Sequence, residues 1–132
     1  MIKFLVMFAA LNGALATALA AMASHHPSLA GQAYLSEIFA KANSQHYIHT
    51  AMCLITALAA YLTAQRIWIL SSSIFGLGIM LFSYPLYLFA FTGAKIAGFL
   101  TPIGGVCFIL GWLSLLVAPW SLRTPASEKD NE

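Results

Sequence analysis

The ionised side chains of this chain stand so far apart that they cut it into four long apolar runs, and that spacing constrains the fold more than anything else in it. Lys3, Glu37, Lys41, Arg66, Lys95 and Arg123 act as boundaries, and the runs between them cover about 4–23, 47–64, 67–92 and 96–118. A hydrocarbon layer about 30 Å thick is crossed by about 20 helical residues rising 1.5 Å each, so each run is a candidate transmembrane helix. The runs are too long for barrel strands of about 10 residues, and they lack polar/apolar alternation. The fold class expected is therefore all-α: an integral membrane four-helix antiparallel bundle over residues 1–120, with 121–132 as a polar tail. Composition agrees, because 61% of the residues are hydrophobic and 8% charged, against roughly 25% charged in soluble domains. A net charge of +2 without a Lys/Arg cluster excludes a nucleic-acid partner, and the partner implied is a lipid bilayer.

Alternate helix ends share a side. Lys3, Arg66, Arg123 and Lys129 then oppose Lys41 and Lys95, and four against two places both termini in the cytoplasm. The first run has a second reading: Lys3, the apolar stretch and Ala21-Met22-Ala23 before Ser24 also describe a secretory leader. A retained helix is the expectation, because the run exceeds the usual leader core of 7–15 residues.

Helices in lipid associate through small residues that let backbones approach. Such stripes run through Ala9, Gly13, Ala16 and Ala20; through Cys53, Ala57, Ala60 and Ala64; through Ser72, Gly76 and Ser83; and through Gly104, Cys107, Gly111 and Ser114. They imply a tight bundle without a wide pore. Pro85 and Pro102 are expected to kink or unwind the outer halves of the third and fourth helices, either as a packing kink or as a broken helix that contacts a ligand.

The connection 24–46 is the only sizeable one, and Leu35, Ile38, Phe39 and Ala42 within it follow a helical period, with Glu37 four residues before Lys41. A short interfacial helix is predicted there. His25, His46 and His49 cluster around this loop and are the only candidates for a zinc or copper site. Neither a carboxylate relay nor a nucleophile, phosphate or HExxH motif occurs, so no enzyme, cofactor or catalytic residue is expected. Asn12, the one amide inside a run, is expected to bond a neighbouring helix, and Cys53 and Cys107 form no redox pair.

Leu81-Phe82-Ser83, Leu86-Tyr87, Thr101-Pro102-Ile103-Gly104-Gly105 and Gly111-Trp112, with His25 after the first helix and His49-Thr50 opening the second, resemble the domain-of-unknown-function 423 family. These are small YgdD/YwdK-like membrane proteins, related to transmembrane protein 256, and the resemblance runs nearly the whole chain. It implies an uncharacterised multi-pass protein of a bacterial inner membrane, with a mitochondrial inner membrane as the other location. It carries over no substrate or cofactor. Tyr84-Pro85 stands where the family pattern has small residues, and Ala20, Ala21 and Ala23 replace a Gly-rich approach to His25. The function expected is a bundle that forms a homo-oligomer or joins a membrane complex. The other classes are a carrier or channel for a small weakly polar solute, and a metal or haem site in a redox assembly.

Overall fold

The computed structural model describes residues 1–95 and 97–121. The tail beyond, with Arg123 and Lys129, lies outside the described residues. The elements are α1 (Ile2–Ala23), α2 (Ala33–Thr63), α3 (Arg66–Gly78), a π-helical turn (Ile79–Ser83), α4 (Tyr84–Thr92), α5 (Leu100–Val117) and a closing 3-10 turn (Ala118–Ser121). No strand occurs among the described residues. α3, the π turn and α4 form one continuous rod, so four long helical rods pack together. α2 lies at the centre of this arrangement, touching α1, α3, the π turn and α4, while α5 packs on α3 and the π turn.

The predicted interfacial helix is not a separate element. Its residues are the first turns of α2, because no glycine or proline interrupts 33–63 and nothing stops the helix at a membrane boundary. At 31 residues α2 is about 46 Å long and exceeds a hydrocarbon layer of about 30 Å by about half. The extra length is anchored: Leu35, Phe39 and Ala42 bury against Leu29, Tyr87 and Ala90. The rod ends at Ala64, which takes a left-handed φ of 54° and returns its N–H to the carbonyl of Ala60.

The prolines have different outcomes. Pro85 cannot donate a backbone hydrogen bond, and its ring crowds the preceding turn. The chain accommodates it by widening that turn into the π segment Ile79–Ser83, and the rod continues. Pro102 breaks nothing, contrary to expectation, because α5 begins at Leu100 and not at 96. It therefore occupies the first turn, where no intrahelical donor is required.

Most of the small-residue stripes turn inward, although Ala64 at the end of α2 is exposed and Gly13, Ala20, Cys107 and Ser114 are half-buried. Ala9 and Ala16 of α1, Cys53, Ala57 and Ala60 of α2, Ser72 and Gly76 of α3, and Gly104 and Gly111 of α5 are buried. Large apolar side chains cover the outside instead, among them Phe4, Leu11, Leu62, Ile109 and Leu116. Three rods, Ile2–Ala23, Arg66–Thr92 and Leu100–Trp120, are long and apolar enough to cross a membrane. α2 is not among them because it carries polar residues along its length, some buried, such as His46, His49 and Thr50, and some exposed, such as Glu37, Lys41 and Ser44.

Backbone meets backbone most closely at Gly104. A Cβ there would stand 2.5 Å from the amide nitrogen of Phe82 and 2.7 Å from the carbonyl carbon of Leu81, whereas at Gly105 it would meet only the Phe82 ring at 3.8 Å. Gly104→Ala is accordingly expected to lose about 1–3 kcal/mol by forcing α5 off the π turn. Gly105→Ala should be neutral or stabilising, since alanine is the better helix former. Thermal unfolding of the two variants in detergent checks the contrast.

Candidate functional site

One face of α2 carries Asn43, His46, Thr50 and Cys53 at steps of three, four and three, so a polar stripe is turned toward α1 and the α3–α4 rod. His46 is fully buried at its middle. Its Nε2 lies 3.0 Å from Asn12 Oδ1 on α1, and its Nδ1 lies 3.1 Å from Tyr87 Oη on α4. Asn12 Oδ1 also accepts from the Tyr84 hydroxyl at 2.7 Å, while Asn12 Nδ2 donates to the carbonyl of Phe8 at 2.8 Å. Asn43 Nδ2 donates to Tyr87 Oη and to the carbonyl of Ala16, both at 3.0 Å.

These contacts allow one consistent proton arrangement. Phe8 takes a donor, which fixes Asn12 Oδ1 as the acceptor facing His46, so His46 carries its proton on Nε2. Its Nδ1 then accepts from Tyr87, whose oxygen accepts from Asn43. Every member of the network is satisfied with a neutral imidazole.

His49 lies one turn further along but faces α5. Its Nδ1 donates to the carbonyl of Gln45 at 2.8 Å, and its Nε2 accepts from the Trp112 indole at 3.2 Å. The ring stacks on Phe108 with centroids 3.5 Å apart and planes 6° from parallel, and Phe75 tilts against its edge. His49 is thus also neutral, in the opposite tautomer. Together with Phe82, Gly105 and Gln45, His49 and Trp112 line an open groove of about 450 Å³ between α2 and α5.

The histidine candidates for metal do not converge. Both ring nitrogens of His46 and of His49 are engaged on different faces of α2, and His25 is exposed beside a concavity of about 430 Å³ at the end of α1. Among the described residues no group of three or more His, Cys, Asp or Glu side chains is placed to hold a metal.

The other residues that carried the family resemblance divide by role. Tyr87 belongs to the buried network. Phe82, Gly104, Gly105, Gly111 and Trp112 build the contact between α5 and the rod before it, where a Cβ at Gly111 would run into the Phe75 ring. Leu86, Thr101 and Pro102 line a separate groove between the end of α4 and the start of α5. Ser83 is fully buried and its hydroxyl finds no partner among the described residues; the same is true of the hydroxyls of Thr50 and Thr101.

Asn12 bonds neighbouring helices as expected. Sequence reasoning missed Asn43, Tyr84 and Phe108, and also the cross-links Cys53 to Ser72, at 3.3 Å, and Ser71 to Ser114, at 2.7 Å. The signal for Asn43 was present in the helical spacing of polar residues along α2, whereas Tyr84, Phe108 and the serines lie on other elements and carry no such pattern.

Three apolar rods around a central polar-striped helix define a small all-helical membrane protein. Comparison with known proteins agrees. The family described as "Protein of unknown function (DUF423)" matches residues 19–105. The UPF0382 inner membrane protein YgdD of Escherichia coli K12 is 34% identical over 122 residues, covering 92% of each chain. A UPF0382 membrane protein of Staphylococcus aureus is 34% identical over 119 residues, 88% of this chain and 94% of its own. One from Haemophilus influenzae is 36% identical over 113 residues, covering 86% and 90%. No solved structure matches. The chain belongs to the DUF423 family, whose members named here are uncharacterised membrane proteins.

Replacing Asn12 with Leu strands the His46 N–H and the Tyr84 hydroxyl together and should cost roughly 1–3 kcal/mol. Tyr84→Phe leaves Asn12 Oδ1 served by His46 and should cost less. The double variant should fall short of the sum, as a double-mutant cycle in detergent would measure. Nitrogen-15 NMR at neutral pH should find His46 protonated on Nε2 and His49 on Nδ1.

Proposed function

We propose that this protein is a non-enzymatic membrane bundle that works through helix contacts, either with a second copy of itself or as a small accessory subunit of a larger membrane complex. In this reading α2 is the fourth span, the four rods run antiparallel through a bacterial inner membrane, and both termini lie in the cytoplasm. The observation that carries the proposal is how completely the interior is used by the fold itself. Phe75, Ile79, His46, Asn12 and Thr56 are fully buried between the rods, both inward histidines are occupied, and no Asp, Glu, Lys or Arg sits among them. Such an interior offers no water-filled path and no free acid or base.

The surface available for contact is therefore the outside. The inward stripes are spent on the chain's own packing, but α1 also exposes Ala10, Ala14 and Ala18, spaced four residues apart. This strip admits the close approach of another helix. The naming of relatives as membrane and inner membrane proteins supports the location.

Crosslinking in native membranes, followed by mass spectrometry, is expected to recover copy-to-copy or partner links on the outer face of α1. Ala14→Leu should reduce them several-fold. A protein that stays monomeric, captures nothing and instead conducts a small solute in liposomes would refute the proposal. Reporter fusions at the N-terminus and after residue 132 should report the same compartment.

A further inference from the structure

The outer ends of α2, α4 and α5 enclose a groove of about 300 Å³. Ile38, Leu86, Phe89 and Pro102 give it apolar walls, and Lys95 and Thr101 supply the polar part of its lining. The Lys95 ammonium stands 5.3 Å from the centre of the Phe89 ring, so its charge is held along the groove wall. No carboxylate among the described residues compensates that charge. Glu37 is the sole carboxylate among the described residues, and it is committed to Lys41 at 2.9 Å. The Lys41 hydrogen bond, and then its charge, hold the Glu37 carboxyl below its ordinary value, while Glu37 raises Lys41 in return, so this pair remains ionised and neutral as a unit. Lys95 makes no ion pair among the described residues.

An apolar trough joined to one free cation matches a molecule that is itself an apolar chain joined to one anion. We propose that this groove binds an anionic phospholipid, with an acyl chain against Ile38, Leu86 and Phe89 and the phosphodiester at Lys95. A free phosphate would leave the apolar walls uncovered. A zwitterionic lipid brings its own ammonium, which competes with Lys95 for the phosphate. The inference rests on the family's membrane location and not on the contact function proposed above.

The test uses the full chain in detergent, titrated with phosphatidylglycerol or phosphatidylcholine of matched acyl chains and read by native mass spectrometry. Phosphatidylglycerol should bind about five-fold more tightly, the contribution of one basic residue near an anionic headgroup. Lys95→Gln, at an exposed position that does not hold the fold, should abolish the preference, and Lys95→Arg should keep it. Equal binding of the two lipids by the unaltered protein, or an undiminished preference in Lys95→Gln, would overturn the proposal. Displacement of the lipid by millimolar inorganic phosphate would show a free-anion site and overturn it too. Ala14→Leu should leave the lipid preference intact, so that loss of self-association and loss of lipid binding are read separately.

Discussion

The buried hydrogen bonds between His46, Asn12 and the tyrosines of α4 are the constraint on which the remaining architecture depends. A polar group taken out of water must find a partner, so a helix carrying Asn43, His46 and Thr50 within one stripe turns that stripe toward other protein. This requirement puts α2 in the middle. Asn12 then sets the rotation of α1, and Tyr84 and Tyr87, three residues apart on α4, set the rotation of the rod that follows. Apolar packing fills in around them, but packing against lipid alone would leave each rod free to rotate, since an exposed leucine is as well solvated by lipid as by a neighbour.

α5 is positioned by a different means. It meets the rod before it where the π turn and Gly104 bring two backbones together, and the stack of His49 on Phe108 with the Trp112 indole bond fastens its inner half. Pro85 is the residue that makes the π turn necessary, so a departure from small residues at Tyr84-Pro85 is absorbed by local backbone geometry while contact with α5 is kept. Tyr84 at the same place contributes the hydroxyl that completes the acceptor capacity of Asn12.

Much of this was legible in the sequence. Charge spacing located the apolar runs, and the stripe containing Ala9 and Ala16 identified an inward face of α1. Boundaries were less legible where competing signals were weak. The amphipathic pattern at Leu35, Ile38 and Phe39 reads as a surface helix, yet the absence of any breaker before His46 lets α2 run on through it. Pro102 reads as an interruption only if the helix starts at residue 96; a start at Leu100 makes it an ordinary first-turn residue. The histidines allowed a metal site only as a geometric possibility, and spacing on a helix could not show what occupies each ring nitrogen, because the partners Asn12, Tyr87 and Trp112 are distant in the chain. The grooves were invisible for the same reason, being made where ends of separate helices meet.

The anchoring of Asn12 to the Phe8 carbonyl gives the central network a direction. With that amide unable to turn over, Asn43, Tyr87 and His46 each hand a hydrogen to the next member, and their dipoles line up head to tail across three helices. The core thus holds one oriented chain of hydrogen bonds that contains no formal charge.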